Sequence, residues 1–345
     1  MKKLTSLLLV LCLALSLCTF TFASEVTDDV ALTAEAVAEV TSDSASMQEV
    51  HQIKNVIFMI PDGGGPTLMD LADMVKQAGG IDRTKYPYST VTDNSPLHLL
   101  SYLAGFETTR SANNPVTDSA AGGTALSSGY KTKNGYVGIT SAKIPRATIL
   151  EAAMYKGKAT GMVTIAEWPH ATPASYSAHT IDRNDYYNIY KQIENKEIQV
   201  VLGGGYGMVT EFEGATIQNA IDNGYKIVAT KEDAKTIQPG DKVWGNVGSK
   251  KMPEDHATKE GRPVLHELVT VALTALSGDE DGFFLMVEGS NVDAGGHNSN
   301  AFEAISEYLA FDAAWKVAVD FAKGRNDTIV IGAPDHDTGG LVFPD

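Results

Sequence analysis

Residues 54–65 read Lys54-Asn-Val-Ile-Phe-Met-Ile60-Pro61-Asp62-Gly63-Gly64-Gly65. A continuous apolar run of this length, rich in β-branched residues, predicts a central strand buried on both faces. Asp62 then stands at the strand's carboxyl end, where open α/β sheets place their chemistry. The three glycines let the chain turn sharply, and Pro66 suits the first turn of a helix running to about Gln77. The plainer reading of Asp62 is a turn-forming residue.

Outward from this strand the same alternation recurs. Apolar strands are expected at 158–166, 199–202, 282–287 and 328–331. Helices are expected at 147–155, 184–195, 215–223, 264–276 and 300–323. Strands alternating with helices predict an α/β three-layer sandwich: a mostly parallel central sheet with helices on both faces. The apolar run 97–103 is read as one further strand, and Lys133-Asn-Gly-Tyr136 as a hairpin turn within 131–139. Gly203-Gly-Gly-Tyr-Gly207 lacks a glycine at Met208, so it is a tight turn rather than a nucleotide loop. Residues 232–261 read as a polar surface excursion.

A second stretch, Pro115-Val-Thr-Asp-Ser-Ala-Ala-Gly-Gly-Thr-Ala-Leu-Ser-Ser-Gly129, predicts a buried helix capped by Thr117 or Asp118. Ser119 would sit at its N-terminus, where free amides and the positive dipole end favour an anion. Ala120, Ala121, Gly122 and Gly123 have almost no side chain, leaving room for a bulky group to approach. Four expected strand ends also carry candidate metal ligands: Asp62; His170 with Thr172; Glu288, Asp293 and His297; and Asp335 with His336. Carboxylates and imidazoles converging on one sheet edge suit zinc with a harder magnesium neighbour.

The chain has 345 residues and a formal net charge of −16, which argues against nucleic acid as a partner. It does not argue against a phosphate substrate, because local cations reverse the sign at a site. Residues 1–23 read as a secretory signal peptide: basic Lys2 and Lys3, an apolar core from Leu8 to Leu17, and Thr21-Phe22-Ala23 before the cut. Cys12 and Cys18 both fall in it, and Leu17 is too large for a lipoprotein signal at Cys18. The mature protein is therefore expected to be free of disulfides. Residues 24–50, acidic and without aromatics, read as a flexible spacer, with a helix over 31–40 as the alternative. The domain proper is assigned to 51–345.

Val116-Thr-Asp118-Ser119-Ala-Ala-Gly-Gly-Thr124 resembles the nucleophile motif of the alkaline phosphatase family, and the resemblance extends over residues 53–341. It implies a metal-dependent phosphomonoester hydrolase working through a phosphoserine on Ser119. By the match, Asp62 bridges a second zinc and a magnesium. Glu288 and Thr172, with His170 nearby, complete the magnesium site. Asp293 and His297 bind a first zinc, and Asp335 and His336 bind the second zinc next to Ser119. Arg183 matches the phosphate-clamping arginine, whose planar fork binds two phosphate oxygens at once. At the position of His170 some family members carry Asp and others His.

The family supplies a further first-zinc histidine well downstream of His336. The sequence ends at Asp345 without one, so the resemblance implies incompleteness at the C-terminus. His51, His98, His179, His256 and His266 have no partner at ligand spacing and are expected on loops or helix faces. The implied setting is secreted or periplasmic, with small phosphomonoester substrates, no nucleic acid and no stable membrane insertion after signal cleavage. A homodimer is compatible with it. The rival readings are a phosphodiesterase or sulfatase-like relative and a non-catalytic phosphate or metal binder.

Overall fold

A computed structural model of the chain describes residues 52–79, 94–204, 217–245 and 261–343. The expected signal peptide, the spacer, the 205–208 part of the glycine turn, His51 and His256 lie outside the described residues. Seven strands form one sheet: β1 (Asn55–Ile60), β2 (Ala159–Glu167), β3 (Val200–Gly204), β4 (Tyr225–Val228), β5 (Lys242–Gly245), β6 (Phe283–Glu288) and β7 (Thr328–Gly332). Their order is β4-β5-β3-β2-β6-β1-β7, and every pairing is parallel. The strand expected at 54–60 is an interior one, with Val56 opposite Phe284 on β6 and Ile329 on β7.

Side chains alternate across this sheet with period two. Ile57, Met59, Phe283, Leu285 and Val287 face one layer; Phe58, Ile60, Phe284 and Met286 face the other. The first layer holds α8 (Leu265–Leu276) and α10 (Ala301–Ala322). The second holds α2 (Ser119–Ser128), α3 (Ile149–Tyr155), α4 (Ala171–Ser177) and α5 (Tyr186–Asn195). Helices thus cover both faces, as the sequence predicts. α1 (Pro66–Gln77) packs on α10 in a smaller cluster with Val292 of α9 (Asn291–His297). Short α6 (Ile217–Asp222) and α7 (Lys231–Ala234) flank β4. Among the described residues no helix is long and apolar enough to cross a membrane.

Three local expectations change. Residues 98–102 form a 3-10 helix rather than a strand. The amides of Leu97 and Leu99 are taken by the carboxylates of Asp73 (2.8 Å) and Asp312 (3.0 Å), so they do not enter a ladder. Asp312 in turn is paired with buried Lys76 at 2.9 Å. The turn at 133–136 exists, with Tyr136 N donating to Lys133 O at 3.0 Å. Its flanks do not pair with each other: Val137 pairs with Thr180 instead. The expected surface excursion contains β5, whose Val243 and Trp244 are buried against the sheet.

The small face of α2 also has a use the sequence did not show. A Cβ on Gly122 would lie 2.5 Å from the backbone oxygen of Asp335, and one on Gly123 would strike the Ser175 hydroxyl of α4. The space is occupied by protein. It lets the segment after β7 and helix α4 press directly on the helix backbone. Gly122→Ala is therefore expected to destabilise the fold by about 1–3 kcal/mol, because the obstacle is backbone and not a flexible side chain. Urea unfolding measures this, and an unchanged midpoint would show that the close approach is not constraining.

Candidate active site

In a parallel sheet all carboxyl ends lie along one edge. The order β2-β6-β1-β7 sets four of them side by side. β2 leads through Glu167 to His170, which precedes α4, and to Thr172 in its first turn. β6 ends in Glu288 and continues into α9 with Asp293 and His297. β1 is followed by Asp62, and β7 by Asp335 and His336. Asp62, Thr172, Glu288 and Asp335 are essentially inaccessible, and Asp293, His170 and His336 are buried.

Two sets of three side chains bring ligand atoms within 4.8 Å of one another: Asp62, Asp335 and His336, and Asp62, His170 and Glu288. Asp62 belongs to both. Its Oδ2 accepts from Thr172 Oγ1 at 3.2 Å. Among the described residues its Oδ1 has no hydrogen-bond partner, and neither does Oδ2 of Asp335. Burial pushes the Asp62 carboxyl well above the usual carboxylate range, and the charges of Asp335, Asp293 and Glu288 push the same way.

Hydrogen bonds fix the orientation of the ring between them. Thr338 Oγ1 lies 2.7 Å from Asp293 Oδ1 and 3.1 Å from His336 Nδ1. A carboxylate only accepts, so the threonine hydroxyl donates to Asp293 and Nδ1–H of His336 donates to the threonine. That leaves the Nε2 lone pair facing Asp62 Oδ1 at 3.5 Å, Asp335 Oδ2 at 3.4 Å and Ser119 Oγ at 3.0 Å. Two carboxylate oxygens and an imidazole lone pair converge on one point, with buried oxygens still unsatisfied. The donor set fits a divalent cation, with Thr338 orienting the imidazole from behind. In the second set Glu288 accepts from Thr164 and lies 3.9 Å from His170 Nδ1.

Asp293 and His297 meet on α9 at 3.4 Å, with His297 72% exposed. Among the described residues they form no set of three with another histidine or acid. Asp118, rather than Thr117, caps α2: its Oδ1 accepts from Ala121 N at 3.0 Å. Its Oδ2 accepts from Gly135 N at 2.9 Å and from Arg183 Nη1 at 3.1 Å. The residue before Ser119 thus holds the guanidinium at the amino end of Ser119's helix. The sequence did not single out Thr164, Thr338 or this role for Asp118. The Asp-Ser pairing at the cap was the one available signal. Beside His336 and Asp337 opens a cavity of about 780 Å³ with an apolar far wall of Leu99, Tyr102, Phe106 and Trp315.

Residues 53–343 match the family model described as alkaline phosphatase. Alkaline phosphatase 3 of Bacillus subtilis is 34% identical over 318 residues, covering 90% of this chain and 66% of that protein. The repressible alkaline phosphatase of Saccharomyces cerevisiae is 32% identical over 326 residues, covering 85% and 56%. The chain therefore spans two thirds or less of the length of these relatives. Among solved structures, the cold-active alkaline phosphatase of Shewanella sp. superposes with a TM-score of 0.73 at 29% identity, covering 83% of this chain and 69% of that one. The alkaline phosphatase of the Antarctic bacterium TAB5 does so with 0.69 at 30%, covering 85% and 81%. With one parallel sheet presenting these side chains along one edge, and a family match running nearly its whole described length, the chain belongs to the alkaline phosphatase family.

Proposed function

We propose that the chain hydrolyses small phosphomonoesters through a phosphoserine on Ser119. The observation that carries this reading is Ser119 Oγ, at the amino end of a ten-residue helix, 3.0 Å from His336 Nε2 in the buried carboxylate cluster. Ser119 Oγ would attack phosphorus in line, forming the O–P bond as the ester P–O bond breaks and the alcohol leaves. Water would then attack the phosphoserine, breaking the serine O–P bond and releasing inorganic phosphate. Arg183, steered by Asp118, would bind two equatorial oxygens, and free amides in the first turn of α2 would face the same charge.

Asp62, Asp335 and His336 would hold one zinc beside Ser119, and Asp293 with His297 would contribute to the other. Asp62, Thr172, Glu288 and His170 would hold magnesium. Among the structural neighbours, a form of the TAB5 enzyme with a histidine-to-aspartate substitution has Mg bound in its M3 site, so magnesium is a metal bound by a protein of this fold. When bound, such ions supply Lewis-acid charge that lowers the proton affinity of a nearby hydroxyl or water. Export through residues 1–23 is part of the same proposal.

Ser119→Ala is expected to lose several orders of magnitude in p-nitrophenyl phosphate turnover. Labelled substrate at mildly acid pH should leave its phosphate on the peptide that contains Ser119; label elsewhere would reassign the nucleophile. Monoester turnover far above that of the matching diester separates this reading from a phosphodiesterase, and any turnover separates it from a binder.

Arg183→Ala should weaken inhibition by inorganic phosphate and lower kcat/KM by roughly one to two powers of ten, as for a charge-assisted bond of about 1.5–3 kcal/mol. Unchanged phosphate inhibition would place the clamp elsewhere.

A further inference from the structure

His179 lies outside the metal cluster and has no ligand spacing, yet both its ring nitrogens are engaged. Nδ1 is 2.6 Å from the carbonyl oxygen of Gly138, and Nε2 is 2.9 Å from Oε1 of Glu151 on α3. Both partners are pure acceptors. A neutral imidazole has one N–H, so the two bonds exist together only when the ring carries both protons.

The ring anchors one end of a short two-stranded strap. Val137 and Thr180 exchange both backbone hydrogen bonds at 3.0 Å, and Arg183 N donates to Gly135 O at 2.9 Å. At the far end, Gly135 N and Arg183 Nη1 share Oδ2 of Asp118. Residues 179–183 therefore run from the imidazole to the guanidinium, held against 135–138. We propose that His179 is a positioning residue, which as an imidazolium bridging Glu151 and Gly138 fixes the strap that presents Arg183 to phosphate. This rests on the reading of Arg183 as the phosphate clamp.

The groups that face His179 are few. Glu151 is the acid. Lys196, at the end of α5, also reaches Glu151 Oε1, at 2.9 Å. Gln192 of α5 accepts from His179 N at 2.8 Å and donates to His179 O at 3.2 Å, so the backbone there is tied independently of ring charge. The hydrogen bond to Glu151 raises the affinity of His179 for its proton above the ordinary value of 6.5, against burial and against Lys196. Burial alone would raise the Glu151 carboxyl, but hydrogen bonds from His179, Lys196 and the Thr148 backbone hold it at about 2. Glu151 thus stays ionised across the working range. Because the folded value of His179 lies above its unfolded value, its bridge contributes fully below the unfolded value. The contribution is lost as pH rises through the folded one.

The test needs no variant at first. NMR of the imidazole nitrogens in the whole protein should show both of them protonated below a midpoint that lies above the ordinary value of 6.5. Inorganic phosphate binding is then measured calorimetrically on each side of that midpoint, at matched metal loading. His179→Gln cannot make both bonds, and should bind phosphate about five-fold more weakly below the midpoint, the loss expected for one hydrogen bond. Above it, variant and natural protein should converge. Arg183→Ala should lose affinity at both pH values. A midpoint at or below 6.5 overturns the proposal, as does a His179→Gln loss that is absent or equal on both sides. If Arg183→Ala leaves phosphate binding unchanged, the clamp reading itself fails and the positioning role falls with it.

Discussion

Four carboxylates, those of Asp62, Glu288, Asp293 and Asp335, are buried close together at one edge of a parallel sheet. Their mutual repulsion and loss of hydration make the fully ionised cluster costly unless cations are shared among them. The fold is arranged to impose that constraint. Parallel pairing aligns the strand ends, and the order β2-β6-β1-β7 makes four of them neighbours. At Gly63, with φ +68°, a Cβ would collide with Thr338, the residue that joins Asp293 to His336. The turn after β1 is thus shaped by the hydrogen bond that orients the histidine.

A different set of forces places the nucleophile. Helix α2 has so little side chain that the Asp335 backbone packs onto Gly122, which brings the end of β7 up against it. Its cap, Asp118, ties the helix to Gly135 and to Arg183 with one carboxylate. Helix amides, guanidinium and cluster meet around Ser119 although the chain as a whole is strongly acidic. Net charge bears on partners at a distance, whereas the site depends on local groups.

How much of this was legible depends on the range of the signal. Strands buried on both faces appear as unbroken apolar runs, so β1, β2 and β6 and the ligands at their ends could be read directly; β7 carries such a run too, although as the edge strand it leaves Ile329 and Ile331 exposed. β4 and β5, four residues each and carrying lysines, have no such run. The 97–103 segment looked like a strand because composition cannot show that Asp73 and Asp312 take its amides. Small residues in α2 correctly marked a close approach, but the approaching group is protein backbone. Thr164, Thr338 and the Asp118–Arg183 pair became visible only when residues distant in sequence met. His179 has no ligand spacing, and its acceptors lie 28 and 41 residues away in sequence, so its bridge is invisible there.

Asp62 belongs to both candidate ligand sets, and the proposed function has it serve a cation in each. Metal content per chain, measured by mass spectrometry after dialysis against metal-free buffer, tests it most directly in the natural protein and in Asp62→Ala. Shared ligation predicts that Asp62→Ala loses ions from both sets, those with Asp335 and His336 and those with Glu288 and His170. A folded Asp62→Ala protein that keeps the natural metal content would contradict shared ligation.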